Sequence, residues 1–293
     1  MIIIRISDGL GNQMFQLAAG LAVSAERGVP MRVDISCFAD DRMQRRFELN
    51  RVFSCAAEIA GKANVRRILG WQHPHRVRRI MSRRGMAMLR RKELVIEPHF
   101  HYWPEINHVP SDCYLAGYWQ SEKYFQKHTD EVRVRFTFKH PLTDNNAEIA
   151  EQISRVNAVS LHIRRGDYVS DSGTRAKHGV CLPGYYEKAI HYLAKRVESP
   201  HFFVFSDDMD WVRFNLKISH PCCFVAHNRG EESYNDMHLM SLCRHHIIAN
   251  SSFSWWGAWL NPDKDKIVVA PERWFNNHPV YTGDIFPAGW ITM

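Results

Sequence analysis

The sequence predicts an α/β protein made of two domains with a cleft between them. Its 293 residues suffice for two domains of roughly 100–200 residues each. Short β-branched segments alternate with amphipathic segments, which is typical of parallel strands joined by helices that cover both faces of a sheet. Polar loops follow these strands, and in such sheets ligands bind at the carboxyl ends of the strands.

The chain begins with a predicted strand, a glycine-containing turn and a helix. Residues 1–6 are apolar and mostly β-branched, and residues 8–12 are a cluster of turn-forming residues. An apolar stripe at helical spacing predicts a helix over 13–27, which Gly28 and Pro30 end. A second strand is expected over 32–35.

Further strands are predicted in the second half of the chain, at 158–163, 201–205, 222–225, 246–249 and 266–270. Helices are expected between them, over 185–196 and 234–244. Proline and polar residues interrupt the pattern at 140–146, which predicts a linker. We therefore expect an N-terminal domain over 1–145 and a C-terminal domain over 146–293.

The composition is that of a globular protein made in the cytoplasm. Hydrophobic residues make up 45% of the chain and charged residues 24%. No apolar stretch reaches the roughly 20 residues that a membrane-spanning helix needs, and no cleavable signal follows the first strand. The seven cysteines are scattered and odd in number, so we expect free thiols.

One segment contributes strongly to the net charge of +7. Eleven basic residues and no acidic residue lie within 62–92. This segment is a solvated surface, a nucleic-acid site, or a contact with the anionic inner face of the cytoplasmic membrane. In the membrane interpretation its apolar residues would dip into the lipid, namely Ile68, Leu69, Trp71, Ile80, Met81 and Leu89. No nucleic-acid recognition motif accompanies the charge, so nucleic acid is not an expected partner.

The loop after the 158–163 strand suits a diphosphate. Arg164 and Arg165 directly follow this strand, which also contains His162. Arginine offers a fixed fork of hydrogen-bond donors and keeps its charge. Asp167 could orient one of the two side chains, and a structural ion pair is the alternative interpretation.

A second anion site is expected where Ser251, Ser252, Phe253 and Ser254 open a helix. Unpaired N–H groups and the helix dipole attract anions at such a position. The serines could instead serve only as a helix cap. We expect the tryptophans that follow them to lie in the core.

Asp207 and Asp208 follow another predicted strand, at the same edge of the sheet. A carboxylate there can accept the N1 and N2 hydrogens of guanine. Asp208 and Asp210 also match a DxD metal-binding pattern, and a helix cap is a third interpretation. The chain has no HExxH, no GxSxG and no Cys/His spacing for zinc.

Near the N-terminus, Gly9 and Gly11 precede the amide side chains of Asn12 and Gln13. The turn resembles a phosphate-binding loop but lacks the last glycine of GxGxxG. Amides at a helix start suggest hydrogen bonds to sugar or phosphate, and a simple turn with a cap is the alternative.

Together these residues resemble the bacterial α-1,2-fucosyltransferases of glycosyltransferase family 11. The resemblance runs in order along nearly the whole chain, and its most specific pieces are HIRRGDY and SSFSWWGAW. The matching segments are 9–16, 117–125, 162–168, 178–179, 185–186, 205–208, 235–243 and 249–261, with Pro271 and 274–275 similar as well. The basic segment 62–92 matches no motif of the family.

The resemblance implies a GT-B-like fold with two Rossmann-like domains, GDP-β-L-fucose as donor, inversion at the anomeric carbon and no required metal or cofactor. It places Arg164 at the diphosphate with help from Arg165, Asn12 near the fucose–phosphate link, and Asp208 near the base. The other donor-binding residues that we predict are Gly11, Gln13, His162, Asp167, Asp207, Ser251, Ser252, Phe253 and Ser254. The acceptor is expected to be an oligosaccharide or lipid-linked glycan of the bacterial surface.

Two other classes of function stay open on the sequence. One is a metal-dependent GT-A-type transferase that uses Asp208 and Asp210. The other is a non-catalytic module that binds a glycan or a nucleotide. The general base is not identified, although Asp8 beside the glycine turn is a candidate.

Overall fold

The computed structural model describes residues 1–39, 45–55, 57–171, 173, 179–276 and 281–293, without the side chains of Arg84, Asp167 and Ser170. The chain divides into two compact units. Unit 1 is Met1–Lys139 with Gly283–Ile285, and unit 2 is His140–Thr282 with Phe286–Met293. Each unit is built on a parallel sheet, which confirms the predicted α/β class. The roles that the resemblance implies, acceptor binding for the N-terminal domain and GDP-fucose binding for the C-terminal Rossmann-like domain, stay predictions.

Unit 1 contains a four-stranded parallel sheet in the order β2-β1-β4-β3. Its strands are β1 Ile2–Arg5, β2 Met31–Asp34, β3 Leu94–Ile96 and β4 Cys113–Ala116. Its helices are α1 Leu10–Arg27, α2 Leu49–Val52, α3 Lys62–Leu69, α4 His75–Met81 and α5 Thr129–Arg135. Helix α1 begins before the predicted start at residue 13, so Asn12 and Gln13 lie in its first turn. It ends at Gly28, whose φ of 62° is the left-handed conformation that glycine adopts without strain.

Unit 2 contains a six-stranded parallel sheet in the order β10-β9-β8-β5-β6-β7. Its strands are β5 Asn157–Ile163, β6 Pro200–Ser206, β7 Cys222–Val225, β8 His245–Ile247, β9 Val268–Ala270 and β10 Ile291–Thr292. Its helices are α6 Asp144–Ser154, α7 Gly166–Ser170, α8 Pro183–Ala194, α9 Met209–Asn215, α10 Tyr234–Leu242 and α11 Ser252–Leu260.

The central strands of unit 2 carry buried apolar residues on both faces because helices cover both sides of the sheet. In β6, Phe202 and Val204 belong to one buried cluster, whereas Phe203 and Phe205 belong to another. This alternation follows from the two-residue period of a strand. It explains why the sequence predicted these strands as continuous apolar runs.

The structure of the basic segment 62–92 shows that part of the membrane interpretation is wrong. Ile68, Leu69 and Met81 are buried in a core cluster with Ile3 and Tyr114, which lie on the sheet of unit 1. These three residues therefore cannot enter a lipid surface while the unit is folded. Among the described residues, no helix is both long enough and apolar enough to cross a bilayer.

Candidate functional site

Three predicted loops lie side by side at the carboxyl edge of the unit 2 sheet. Strand β5 lies between β8 and β6. Its last residue, Ile163, pairs with Ser206 at the end of β6, and Leu161 pairs with Ile247 at the end of β8. Because the strands are parallel, the loops that follow β8, β5 and β6 leave the sheet next to one another.

The arginine pair after β5 is fixed by the aspartates after β6. The Arg164 Nη1 lies 2.9 Å from Asp207 Oδ2. The backbone N–H of Arg165 donates to Asp207 Oδ1 over 2.8 Å, so one carboxylate orients both a guanidinium and the loop that carries it. Both guanidiniums are largely withdrawn from solvent, with side-chain exposures of 23% for Arg164 and 15% for Arg165. In such a setting charge-assisted hydrogen bonds are stronger than in water.

Arg165 is held on two sides. Its Nε donates to Asp208 Oδ2 over 3.1 Å, and its guanidinium lies 3.7 Å from the centre of the Trp211 ring. Asp208 also caps helix α9, because its Oδ1 accepts the backbone N–H of Trp211 over 3.3 Å. Both carboxylate oxygens of Asp208 therefore have protein partners, which favours the capping and arginine-holding interpretations over the DxD metal interpretation.

Glycine is required at the residue that follows the arginines. A Cβ at Gly166 would lie 2.6 Å from Asp207 Oδ2, a distance that real Cβ atoms do not adopt. The absence of a side chain lets Asp207 approach the backbone of the loop. Next to it, the side chain of the predicted site residue Asp167 lies outside the described part of the structure.

Helix α11 begins at the predicted serine run, after β8. Ser251 caps it by accepting the Phe253 N–H over 3.3 Å, and the buried Ser254 hydroxyl donates to the Ser251 carbonyl. Ser252 is the first residue of the helix. The tryptophans that follow are buried and pack on one another, which confirms their predicted place in the core.

His162 is buried beneath these loops as a neutral imidazole. Burial, with a smaller effect of Arg164, lowers its pKa to about 4, although Asp207 acts in the opposite direction. Its ring lies 5.9 Å from that of Phe253, and its Nδ1 has no hydrogen-bond partner among the described residues. A buried ring nitrogen without a partner is a candidate contact for a bound ligand.

Sequence reasoning missed two aromatic residues of this site. Trp211 stacks on Arg165, and the Arg164 guanidinium lies 5.5 Å from the centre of the Tyr168 ring. The Tyr168 hydroxyl donates to the Asn250 carbonyl over 3.2 Å, which ties the β5 loop to the β8 loop. The signal was an aromatic residue close in sequence to each charged loop, because arginine stacks on aromatic faces.

The predicted N-terminal site lies in unit 1, after β1. Asn12 Oδ1 accepts a hydrogen bond from Gln120 Nε2 over 2.5 Å, so Nδ2 is the donor that this amide presents. Gln13 is fully buried, and its amide binds the Asp8 and Arg46 carbonyls and the Glu48 N–H. Gln13 therefore holds the loops of unit 1 together through its whole amide. Asn12 is the residue whose Nδ2 can donate to a ligand. Gly11 is buried in the same helical turn.

We name the exposed residues of segment 62–92 the arginine ridge. Buried Gln72 donates to the Leu89 carbonyl and accepts the Arg91 N–H, and Arg90 donates to the Met81 and Arg83 carbonyls. These bonds tie the parts of the segment to one another, and four of its apolar side chains are exposed, namely Trp71, Ile80, Met88 and Leu89. Exposed basic residues accompany them, namely Lys62, Arg66, Arg67, Arg76, Arg79, Arg83, Arg91 and Lys92.

In the described part of the chain, no group of three or more His, Cys, Asp or Glu side chains is arranged to hold a metal ion.

Comparison with known proteins supports the family and the fold that the sequence motifs indicate. The sequence profile described as Glycosyl transferase family 11 matches residues 102–293. An alpha-1,2-colitosyltransferase of Escherichia coli is 34% identical over 100% of this chain and 99% of its own. The O-antigen biosynthesis glycosyltransferase WbnK of Escherichia coli is 36% identical over 98% and 99% of the two chains. Galactoside 2-alpha-L-fucosyltransferase SEC1 of Bos taurus is 31% identical over 55% of this chain and 46% of its own.

Among solved structures, the fucosyltransferase NodZ from Bradyrhizobium superposes with a TM-score of 0.53. It is 13% identical and the alignment covers 89% of this chain and 93% of that one. This similarity concerns the fold, which is GT-B-like. A GT-A-type enzyme, one of the alternatives considered from sequence, does not have this architecture.

Proposed function

Because the chain belongs to glycosyltransferase family 11, we propose that it transfers L-fucose from GDP-β-L-fucose to a hydroxyl of an acceptor sugar. The acceptor is a galactose of a bacterial surface glycan such as O-antigen, and the new linkage is α-1,2. The names of similar proteins support the linkage, the galactoside and the O-antigen setting. The motif resemblance supports the donor.

The observation that carries this proposal is the pair of oriented guanidiniums at the end of β5. When the acceptor oxygen attacks the anomeric carbon and the bond to the β-phosphate breaks, negative charge grows on the departing GDP. Arg164, held by Asp207 at 2.9 Å, is our choice for the donor that stabilises this charge. Arg165 assists it. Since these side chains are already oriented, little reorganisation is needed during the reaction.

The remaining predicted site residues take supporting roles in this proposal. The N–H groups at the start of α11 and the Ser252 hydroxyl bind a phosphate, and Ser254 supports this turn through its bond to the Ser251 carbonyl. We assign recognition of the guanine edge to Asp208 and neutral His162, and Phe253 packs beside the histidine. Asn12 acts in the transfer through its Nδ2 donor. The acceptor proton leaves with a base that we do not assign.

The proposal includes metal independence, because two guanidiniums supply the positive charge that a divalent ion would otherwise bring to the diphosphate. The test is transfer measured in excess EDTA and again with added Mg²⁺ or Mn²⁺. We expect equal rates. A rate that falls in EDTA and returns with the metal would reject this part of the proposal.

The donor sugar is tested by direct competition. Colitose is fucose without its 3-hydroxyl, and the similarity to a colitosyltransferase makes it the second candidate. A site that hydrogen-bonds a hydroxyl rejects the analogue without it by up to about 10⁴–10⁵ in kcat/KM. We therefore expect GDP-fucose to be strongly preferred over GDP-colitose with a panel of galactoside acceptors. The reverse preference would assign the chain to colitose. Absence of GDP release from either donor, with every acceptor of the panel, would indicate a module that binds without transferring sugar.

We further propose that the arginine ridge binds an anionic membrane surface, where a lipid-linked acceptor would be presented. Four apolar tips within a field of basic side chains match a surface that is anionic outside and apolar beneath. Each basic residue near such a surface contributes about 1 kcal/mol, so several suffice for peripheral binding.

Vesicle co-sedimentation tests the ridge. The protein should bind phosphatidylcholine vesicles that contain one-third phosphatidylglycerol at low salt, and should release at high salt. Trp71→Ser combined with Leu89→Ser, and separately Arg76→Glu combined with Arg79→Glu, should each weaken binding. Phe214→Ser is the matched control, because Phe214 is 88% exposed in unit 2. Absence of binding at low salt, or equal loss in the control, would discard the membrane contact.

A further inference from the structure

The turn after β4, residues 117–121, is tied to the N-terminal site of unit 1. Gln120 Nε2 donates to Asn12 Oδ1 over 2.5 Å, and Gln16 Nε2 donates to the Gly117 carbonyl over 3.2 Å. Gln120 is itself buried. The 117–121 turn therefore determines which way the Asn12 amide points, and it leaves Nδ2 as the donor of that amide.

A carboxylate from the neighbouring strand holds this turn. Glu97 directly follows β3, which pairs with β4. Its Oε2 accepts the Tyr118 N–H over 2.6 Å and its Oε1 accepts the Trp119 N–H over 3.0 Å. A Cβ at Gly117 would lie 2.4 Å from the Glu97 Cβ, so a side chain there would push the carboxylate away.

The turn needs such a partner because its backbone is strained. Trp119 has a φ of 56°, in the left-handed region that bulky residues avoid. The side chain is fully buried and packs edge-on against Tyr124, with ring centres 5.4 Å apart. The hydrogen bond from the Trp119 N–H to Glu97 stabilises the conformation directly at the strained residue.

We propose that Glu97 is a positioning residue for sugar transfer, whose ionised carboxylate sets the 117–121 turn and thereby the Asn12 amide. It touches no substrate and acts through Gln120. This inference rests on the proposed role of Asn12 in the transfer, and it involves contacts within unit 1 alone.

The proposal connects the activity to pH. An ionised carboxylate accepts both N–H groups, whereas a protonated carboxyl group gives up acceptor strength at one oxygen. Burial raises the pKa of Glu97 to about 7, against the opposing effect of the two N–H bonds. The titratable groups that face Glu97 are Tyr118 and Tyr124, and burial raises the pKa of each above its ordinary value, so both stay neutral. Activity should therefore fall as pH drops through about 7.

The test is the pH profile of kcat in the whole protein with GDP-fucose and a soluble acceptor. In the wild type we expect an acid limb with an apparent pKa near 7. Glu97→Gln should lose this limb and should lower kcat at pH 8 on the order of tenfold to a hundredfold, as a misplaced binding group does. The affinity for GDP should not change, because the arginines that bind it belong to unit 2. Glu58→Gln is the matched control, since Glu58 is an exposed carboxylate that pairs with Arg32 in the same unit.

A second variant separates positioning from general damage to the fold. Gln120→Ala cuts the link to Asn12 without touching Glu97. If both residues act on Asn12 in series, the double variant should be about as slow as the slower single variant. Losses that multiply, or an acid limb that persists in Glu97→Gln, would overturn the proposal. A wild-type protein that transfers neither fucose nor colitose would instead reject the proposed function and would be recognised before any variant is made.

Discussion

The Arg164 guanidinium is oriented by Asp207, which lies more than forty residues further along the chain. The Asp207 carboxylate bonds both the Arg164 guanidinium and the Arg165 backbone, so the register of β5 against β6 decides where the positive charge points. A lone exposed arginine would sample many rotamers and would lose entropy on binding a diphosphate. Here most of that ordering precedes the ligand.

Replacement of Arg164 tests this orientation. Arg164→Ala should lower kcat by about 10²–10³, the typical effect of removing one donor to a developing negative charge. Arg164→Lys should recover little, because a lysine ammonium cannot reproduce the fork held by Asp207. The measurement is single-turnover transfer at saturating donor. Arg196→Ala is the matched control, since Arg196 is exposed, follows the end of α8 and packs on Tyr192 of that helix. Near-normal turnover in Arg164→Ala would refute the assignment.

The residue scale also shows where sequence reasoning stops. Asn12 and Gln13 are adjacent amides, and spacing alone treats them alike. The structure separates them, because helix α1 begins at Leu10 and turns Gln13 into the interior, where backbone groups use its whole amide. The role of Glu97 had no sequence signal at all. This role depends on the pairing of β3 with β4, and both strands are too short to be predicted from a long apolar run.

Among the elements, the strands of unit 2 were predictable because burial on both faces requires continuous apolar runs. The apolar residues within segment 62–92 were not sorted correctly, because the many arginines hide the helical period of α3 and α4. Ile68, Leu69 and Met81 face the core, whereas Trp71, Ile80 and Leu89 are exposed. The short helices and the turn at Gly70, with φ 54°, decide that division.

Gly166, the first residue of α7, provides a test of whether Asp207 must lie close to the backbone after β5. Gly166→Ala places a Cβ 2.6 Å from Asp207 Oδ2, so the carboxylate must move away from the arginine loop. We expect a loss of kcat/KM of roughly 10²-fold, as for other misplaced catalytic groups. Gly184→Ala is the matched control, because nothing lies within 4 Å of the Cβ added near the start of α8. Equal activity of the two variants would show that the close approach of Asp207 is not needed.

At the scale of the whole molecule, buried titratable groups make stability depend on pH in two opposite ways. Burial lowers the pKa of His162 and His238 to about 4 and that of His246 well below its ordinary value. The contribution of these histidines to the free energy of unfolding is fully present above their unfolded pKa of 6.5, and it is lost as pH falls. Burial raises the pKa of Glu97 and Asp236 to about 7. Their contribution is present at low pH and is lost as pH rises through about 7.

These groups act against one another in the wild type between about pH 4.5 and 6.5. There the unfolded chain takes up protons at the histidines, and the folded chain retains protons at the two carboxyl groups. Each proton of difference changes the free energy of unfolding by about 1.4 kcal/mol per pH unit. Glu97→Gln removes one of the retained protons. Its free energy of unfolding should therefore fall toward acid more steeply than that of the wild type, by up to about 1.4 kcal/mol per pH unit.

Urea unfolding of both proteins at several pH values in this range measures the two slopes. The exposed carboxylate variant Glu58→Gln should keep the wild-type slope, because removal of a solvated charge changes little between the folded and unfolded states. Parallel curves for the wild type and Glu97→Gln would mean that Glu97 is already ionised throughout this range. In that case another group would have to cause the acid limb of the transfer rate. The predicted effects of Glu97 on stability and on the pH dependence of activity would then both be wrong.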